Sequence, residues 1–310
     1  MMEIFTRNDQ IRDIGPTSVA LGFFDGVHLG HRVLLKNCIS YAASVGTASA
    51  VFTFRESPTN VLSGTNKVKR LLSEADRNRV FEALGIDYLF EFDFADGFHK
   101  MTPEVFARDL LHNSFGARAA FCGFNFRFGA RAQADPEILK HLGREYGFET
   151  FVTEPVETGG KPVSSTRIRA LVEKGKIEEA NGLLGVNFRL SGKVRHGAAR
   201  GRTIGFPTAN FNPDPGMVCP AYGVYVTAAR IPDESKPLPA VTNIGVKPTV
   251  GGTELLVETH IIDYENDLYG KDIEVAFLQH LRAERKFDRF EQLKHQITED
   301  KAAAEAYFFK

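Results

Sequence analysis

The chain has 310 residues, 43% hydrophobic and 25% charged, with a formal net charge of −1. That length suits two cores, and the balance of charge argues against nucleic acid or an acidic membrane as a bulk electrostatic partner. Three cysteines, Cys38, Cys122 and Cys219, without CxxC spacing, argue against a disulfide framework or a zinc site.

The opening MMEIFTRNDQ lacks the basic-then-apolar order of an export signal. No apolar run reaches the roughly 20 residues of a membrane helix, so the expectation is a cytoplasmic protein. Next, residues 18–23 form a short apolar run ending near glycine. A helical pattern follows, with Leu34, Cys38 and Ala42 on one face, and then a strand pattern over 48–54. Strand, helix, strand is a right-handed parallel unit. Further strand patterns at 88–92, 119–122 and 150–153, with helical stretches between them, predict an open α/β sheet of Rossmann-like order. Helical patterns over 167–184 stop at Gly185.

Beyond that glycine the period changes. Residues 189–194, 223–229, 240–244, 255–262 and 273–278 read as strands separated by turn residues, without helices between them. The pattern predicts a small antiparallel β-barrel. A last helix follows, with capping-box spacing at Asp288 and Glu291 and a face of Phe290, Leu293, Ile297, Ala304 and Phe308. The boundary expected is between a domain of 1–185 and one of 186–310.

The first strand runs into GFFDGVHLGH, residues 22–31. Gly22, Phe24, Asp25, Gly26 and Gly30 lie where a parallel strand meets a helix N-terminus, a natural phosphate site. His28 and His31 are one helical turn apart and suit hydrogen bonding to phosphate oxygens in a transition state. A lone HxxH reads more readily as a metal pair or as satisfied core histidines; the glycines and the strand-to-helix context favour phosphate. Ser164, Ser165, Thr166, Arg167 and Arg169 open another helix with hydroxyl caps and guanidinium groups that suit a triphosphate. Asn125, in CGFNFRFG, offers an amide to a nucleotide or phosphate. Phe54, Phe124, Phe126 and Phe128 are either core or stacking surface for a planar ring.

A second set lies in the later half. In GRTIGFPTAN, residues 201–210, Thr208 and Asn210 alternate on an extended segment and present oxygens to one side, which suits Mg²⁺. Gly192, Lys193, Gly197 and Arg200 form a basic, glycine-bearing stretch able to cover phosphates. Glu258 and His260 share one face of an apolar strand. A carboxylate facing a barrel interior needs a partner or a task, here that of general base; an exposed strand face is the competing reading.

Taken together these motifs resemble the bacterial bifunctional riboflavin kinase/FAD synthetase family over nearly the whole chain. GFFDGVHLGH and SSTRIR match its adenylyltransferase module. GRTIGFPTAN, NIGVKPT, ETHIIDYENDLYG and LRAERKFDRFEQL match its kinase module. The resemblance implies ATP, riboflavin, FMN and FAD as substrates and products, Mg²⁺ as cofactor and small molecules as partners, with oligomeric state open. It implies that His28 and His31 stabilise the triphosphate, that Asn125 and 164–169 hold the nucleotide, and that Thr208 and Asn210 bind Mg–ATP. It further implies that Glu258 deprotonates the ribityl hydroxyl and Arg282 contacts flavin or phosphate. Three places depart from the family pattern: ARAQAD at 130–135, Phe188 in place of a frequent tyrosine, and the acidic TFRESPTN loop.

Other readings are a chain with one live module, a flavin or nucleotide sensor without turnover, and a fragment of an aminoacyl-tRNA synthetase. Intact motifs in both halves oppose the first. Glu258 with Thr208 and Asn210 opposes the second. The lack of a KMSKS-like loop and the near-neutral charge oppose the third.

Overall fold

In the computed structural model, which describes residues 1–6, 11, 14–196, 205–249 and 252–308, the run TSVAL is buried at every position. Burial on both faces is what a central parallel strand requires. The first unit runs β1 (Glu3–Phe5), β2 (Thr17–Leu21), α1 (Leu29–Val45), β3 (Ala48–Phe54), α2 (Pro58–Ser63), α3 (Glu74–Leu84) and β4 (Tyr88–Phe92). It continues with α4 (Pro103–Val105), a π-helical stretch over Phe106–Ser114, β5 (Ala117–Gly123), α5 (Pro136–Tyr146), β6 (Glu149–Thr153) and the hairpin of β7 (Glu157–Thr158) and β8 (Lys161–Pro162).

Six of these strands form one parallel sheet in the order β1-β4-β3-β2-β5-β6. The chain moves one way from β2 through β3 to β4 and then returns to the other side at β5. The switch in direction therefore lies between β2 and β5, where ligands gather in doubly wound sheets. One face is covered by α1, whose Leu34, Leu35, Cys38 and Ala42 pack with Ala20, Val51 and Leu89. The other carries a phenylalanine-rich core with Phe52, Phe90, Phe106, Phe115 and Leu139.

The second unit takes in residues 69–71 and 166–308 of the described chain. It comprises α6 (Ser165–Glu173, from its second residue), α7 (Ile177–Leu184), β9 (Arg189–Lys193), β10 (Ala209–Phe211), β11 (Gly223–Arg230), β12 (Leu238–Thr249), β13 (Gly252–Ile261), β14 (Asp272–Ala283) and α8 (Phe290–Phe308). Its sheet is antiparallel throughout, in the order β10-β13-β12-β11-β14-β9. The Arg195 amide donates to the Asn210 carbonyl at 2.8 Å. That isolated bridge brings the two outer strands together, so the sheet curls nearly into a barrel.

Helix α7 ends at Gly185, in the left-handed region at φ 72°. It belongs with the second sheet: the Asn181 amide donates to the Phe277 carbonyl at 2.8 Å, and its oxygen accepts from the Phe188 amide at 2.7 Å. The chain divides into its compact units at 165/166, one residue into α6, whereas the sequence pattern put the boundary at 185/186.

Several details differ from the pattern in the sequence. β12 extends through Gly245 and Pro248, because its pairing with β13 carries on to Thr249 and Gly252. β10 is three residues long, too short to show a period. Helix α8 leaves Phe290 54% exposed and instead buries Asp300, which the apolar face did not include.

Candidate active sites

In the first unit, β2 ends at Leu21 and the next residues leave regular structure. The Gly22 amide donates to the Phe52 carbonyl at 3.3 Å, and the Thr53 hydroxyl donates to the Phe23 carbonyl at 2.9 Å. Phe24 and Val27 adopt φ of 53° and 39°. Positive φ is costly for any side chain and most of all for a β-branched one, and such strain concentrates at functional sites. The packing that holds it is visible. Phe24 is buried against Phe81 and the His31 ring, at 5.7 and 5.2 Å between centroids. The Arg32 Nε donates to the Val27 carbonyl at 3.1 Å. Asp25, Gly26 and Val27 are all buried.

His28 caps α1, its Nδ1 accepting from the His31 amide at 3.4 Å. The two imidazoles stack face to face, 3.7 Å apart and 14° from parallel. A Cβ at Gly30 would sit 3.3 Å from the His28 ring, so the glycine makes room for this histidine. Burial lowers His28 to about 4. Burial first, and the charge His28 would carry second, hold His31 well below its ordinary value. Both rings are therefore neutral at pH 7, each with one N–H. His31 Nδ1 is buried without a hydrogen-bond partner, the state of a group that a ligand completes.

The segment that opens α6 reaches this loop, for the Ser165 hydroxyl donates to the Asp25 carbonyl at 2.8 Å. Ser164 precedes it, half-buried. Thr166, Arg167 and Arg169 continue on α6 within the second unit, where an Arg169 NH2 donates to Thr166 Oγ1 at 3.4 Å. Phe124 and Asn125 follow β5 at the switch point and are exposed, Phe124 at 47%. Phe126 and Phe128 stack on each other 5.6 Å apart. Phe128 is a core residue packed on Phe106, and Phe54 is half-buried against Phe52, Phe94 and Phe98. Of the four rings singled out in the sequence, Phe124 offers the most open face.

In the second unit the register of the sheet does the gathering. Asn210 on β10 lies directly opposite Glu258 on β13, and Glu258 lies opposite Asn243 on β12. The row continues through Val224 to Arg282. Directly paired residues share a face with Cβ atoms about 5 Å apart. The tightly buried face of β13 is the other one, with Val257, Thr259 and Ile261. Thr259 ends a ladder of hydroxyls through Thr242 to Thr227, at 3.0 and 2.8 Å. Glu258 therefore stands half-buried on the open side of the strand, not in the barrel interior.

Asn210 Nδ2 donates to the Thr208 carbonyl and to its Oγ1, at 3.1 and 3.2 Å. The Asn210 amide thus reaches back to Thr208. Asn210 Oδ1 is buried without a hydrogen-bond partner. His260 Nδ1 lies 2.8 Å from the Pro207 carbonyl, and its ring meets Phe206 edge-on at 5.4 Å. Burial lowers the His260 pKa, partly offset by that bond.

Two family models match the chain: FAD synthetase over residues 10–167 and riboflavin kinase over residues 184–308. The bifunctional riboflavin kinase/FMN adenylyltransferase of Escherichia coli (strain K12) is 36% identical over 290 residues, covering 94% of this chain and 92% of that protein. The chain belongs to the bifunctional riboflavin kinase/FMN adenylyltransferase family. The member from Listeria monocytogenes serovar 1/2a is 34% identical, covering 97% of this chain and 95% of its own. A crystal structure described as a macrolide-efflux protein from Streptococcus pneumoniae superposes with a TM-score of 0.88 at 33% identity, covering 98% and 99% of the two chains. Among the described residues, no helix is long and apolar enough to cross a membrane.

Some residues singled out within this family pattern have other work in the structure. A Cβ at Gly192 would lie 2.6 Å from the Phe211 ring, so that glycine lets β10 pack on β9. Lys193 Nζ donates to the Gly270 carbonyl at 3.0 Å and pairs with Asp272. Gly197 and Arg200 lie outside the described residues. The Arg282 guanidinium is gripped by both Asp300 oxygens, Nε donating to Oδ1 at 3.0 Å and to Oδ2 at 3.3 Å and NH2 to Oδ2 at 2.7 Å. Sequence reasoning missed Asn243 and Asp300. The strand alternation that places Glu258 says nothing of which residue stands beside it on the next strand, so Asn243 becomes visible only in the register.

Proposed function

We propose that the first unit carries adenylyl transfer from ATP to FMN and the second carries phosphorylation of riboflavin, with the residues assigned as follows. The sequence modules for these steps are 1–185 and 186–310. The reading of the kinase site rests on one observation above the others: Asn210, with its buried and unpartnered oxygen, is the cross-strand neighbour of Glu258.

In the kinase step Glu258 takes the proton of the ribityl hydroxyl while that oxygen attacks the terminal phosphorus of ATP and ADP leaves. Thr208 and Asn210 hold Mg²⁺. The fit is chemical: magnesium takes hard oxygen ligands, and an orphaned buried acceptor costs about 1–3 kcal/mol unless something completes it. When bound, the ion neutralises charge on the phosphates. Gly192, Lys193, Gly197 and Arg200 belong to the stretch proposed to border those phosphates, and Arg282, anchored by Asp300, borders the flavin side.

In the adenylyl step a phosphate oxygen of FMN attacks the α-phosphorus of ATP and pyrophosphate leaves. His28 and His31 donate N–H groups to the triphosphate; an arriving anion raises their affinity for protons and strengthens the bonds as charge builds. Gly22, Phe24, Asp25, Gly26 and Gly30 shape the loop, and Asn125 with Ser164, Ser165, Thr166, Arg167 and Arg169 holds the nucleotide. Phe124, with Phe54, Phe126 and Phe128 behind it, supplies the apolar wall for the flavin ring. The chain works on these small molecules in the cytoplasm, a reading supported by its near-neutral charge and sparse cysteines.

Incubating the purified protein with riboflavin, ATP and Mg²⁺ and separating the flavins tests this directly. Both FMN and FAD are expected. Absence of ATP-dependent FMN contradicts the kinase assignment, and absence of FAD from supplied FMN contradicts the other.

A further inference from the structure

We propose that His260 is a positioning residue of the kinase site, clamping the segment that carries Thr208; the inference rests on the kinase reading of the second unit. A carbonyl oxygen only accepts, so the 2.8 Å contact between His260 Nδ1 and the Pro207 carbonyl fixes the proton on Nδ1. The imidazole donates, and its tautomer is set.

The register shows why a side chain is used there. β10 pairs with β13 through Ala209 and Thr259, Asn210 and Glu258, and Phe211 and Val257. One step outward, Thr208 would face His260, but the ladder has already ended. Pro207 has no N–H with which to extend it. The His260 ring takes over where backbone pairing stops, and Phe206 packs edge-on against the same ring at 5.4 Å. Thr208 is thus held from two sides. Asn210 Nδ2 grips its carbonyl and hydroxyl at 3.1 and 3.2 Å, and His260 grips the carbonyl of the residue before it. Glu258 and His260 are two apart on one strand face, so β13 aligns the base and the phosphate-side segment together. An error of about 1 Å in such a segment is enough to slow transfer strongly.

The test separates the donor from the ring. His260→Phe keeps a ring against Phe206 and removes the N–H. His260→Asn places an amide N–H near the position of Nδ1. KM for Mg·ATP in FMN formation, equilibrium binding of Mg·ADP, melting temperature and FAD formation from supplied FMN are measured for each. We expect His260→Phe to weaken Mg·ATP and Mg·ADP about five- to tenfold, the worth of one hydrogen bond. His260→Asn should recover most of that loss, with riboflavin KM and FAD formation close to the parent. If His260→Phe does not fold, His260→Gln takes its place, since its amide reaches too far, and the same loss is expected. Equal nucleotide constants in the donor-free variant and the parent, or equal losses in His260→Phe and His260→Asn, overturn the proposal. A parent that forms no FMN overturns the kinase reading and this role with it. A parent that forms FMN while His260→Phe matches it overturns the role alone.

Discussion

The Ser165 hydroxyl donates to the Asp25 carbonyl at 2.8 Å, joining residues 140 positions apart. Asp25 is buried in the loop that places His28, and Ser165 opens the helix that carries the arginines. Within the first unit the bond ties residue 165 to the loop proposed to hold the triphosphate. Its loss should cost about 1 kcal/mol, the usual net value of one hydrogen bond. Ser165→Ala is therefore expected to lower kcat/KM for FAD formation about fivefold and to leave FMN formation unchanged. Steady-state assays of the two products, run separately, check this; equal loss in both would contradict it.

The stacked His28 and His31 rings belong to one unit and Glu258 to the other. Replacing both histidines by alanine should reduce FAD formation at least a hundredfold, the scale of lost transition-state donors. FMN formation from riboflavin should stay within about twofold of the parent. Quantifying each flavin by chromatography after a fixed time distinguishes this from a global loss of structure, in which both products fall together.

The depressed pKa of His28 makes stability depend on pH in a definite direction. Its ordinary value is 6.5 and burial brings it to about 4 in the folded protein. Between those values the unfolded chain binds a proton that the folded chain does not, so stability falls as pH drops from 6.5 toward 4. At pH 5 this one group removes about 2 kcal/mol relative to neutral pH. Urea unfolding of the first unit at pH 7 and pH 5 should show the loss, and His28→Asn should flatten it. Identical slopes for parent and variant would contradict the assignment.

Asp300 is buried on α8 and holds both the Nε and an NH2 of Arg282, with Gln296 Nε2 as a further donor at 3.1 Å. Asp300→Ala removes the carboxylate partner of a guanidinium only 21% exposed. The folded second unit should be destabilised by about 3 kcal/mol, and KM for riboflavin should rise. A variant with parental thermal unfolding would show that the pair contributes little.

Much of this arrangement was legible in the residues themselves. The sheet was readable because apolar runs such as 48–54 alternate with helical periods, and the fold follows from that order. The histidine loop was readable because glycines bracket it where a strand becomes a helix. The alternation on β13 placed Glu258 and His260 on one face, but period alone cannot say which face is covered. The buried hydroxyl ladder of Thr227, Thr242 and Thr259 decides that, and it needs three strands in register. Asp300 carries no local signal, because its partner Arg282 lies on a strand 18 residues away. The close approach of Phe211 to Gly192 likewise joins two strands and leaves no trace in the local pattern. Such contacts are tertiary, and no local pattern carries them.

Glu258 opposite Asn210 is where the account is most exposed to test. With Glu258→Gln, which keeps size and hydrogen bonding but removes the base, ATP-dependent conversion of riboflavin to FMN is measured alongside conversion of supplied FMN to FAD. The first rate should fall by about a hundredfold or more, with a parental second rate. Parental phosphorylation of riboflavin by Glu258→Gln would contradict it.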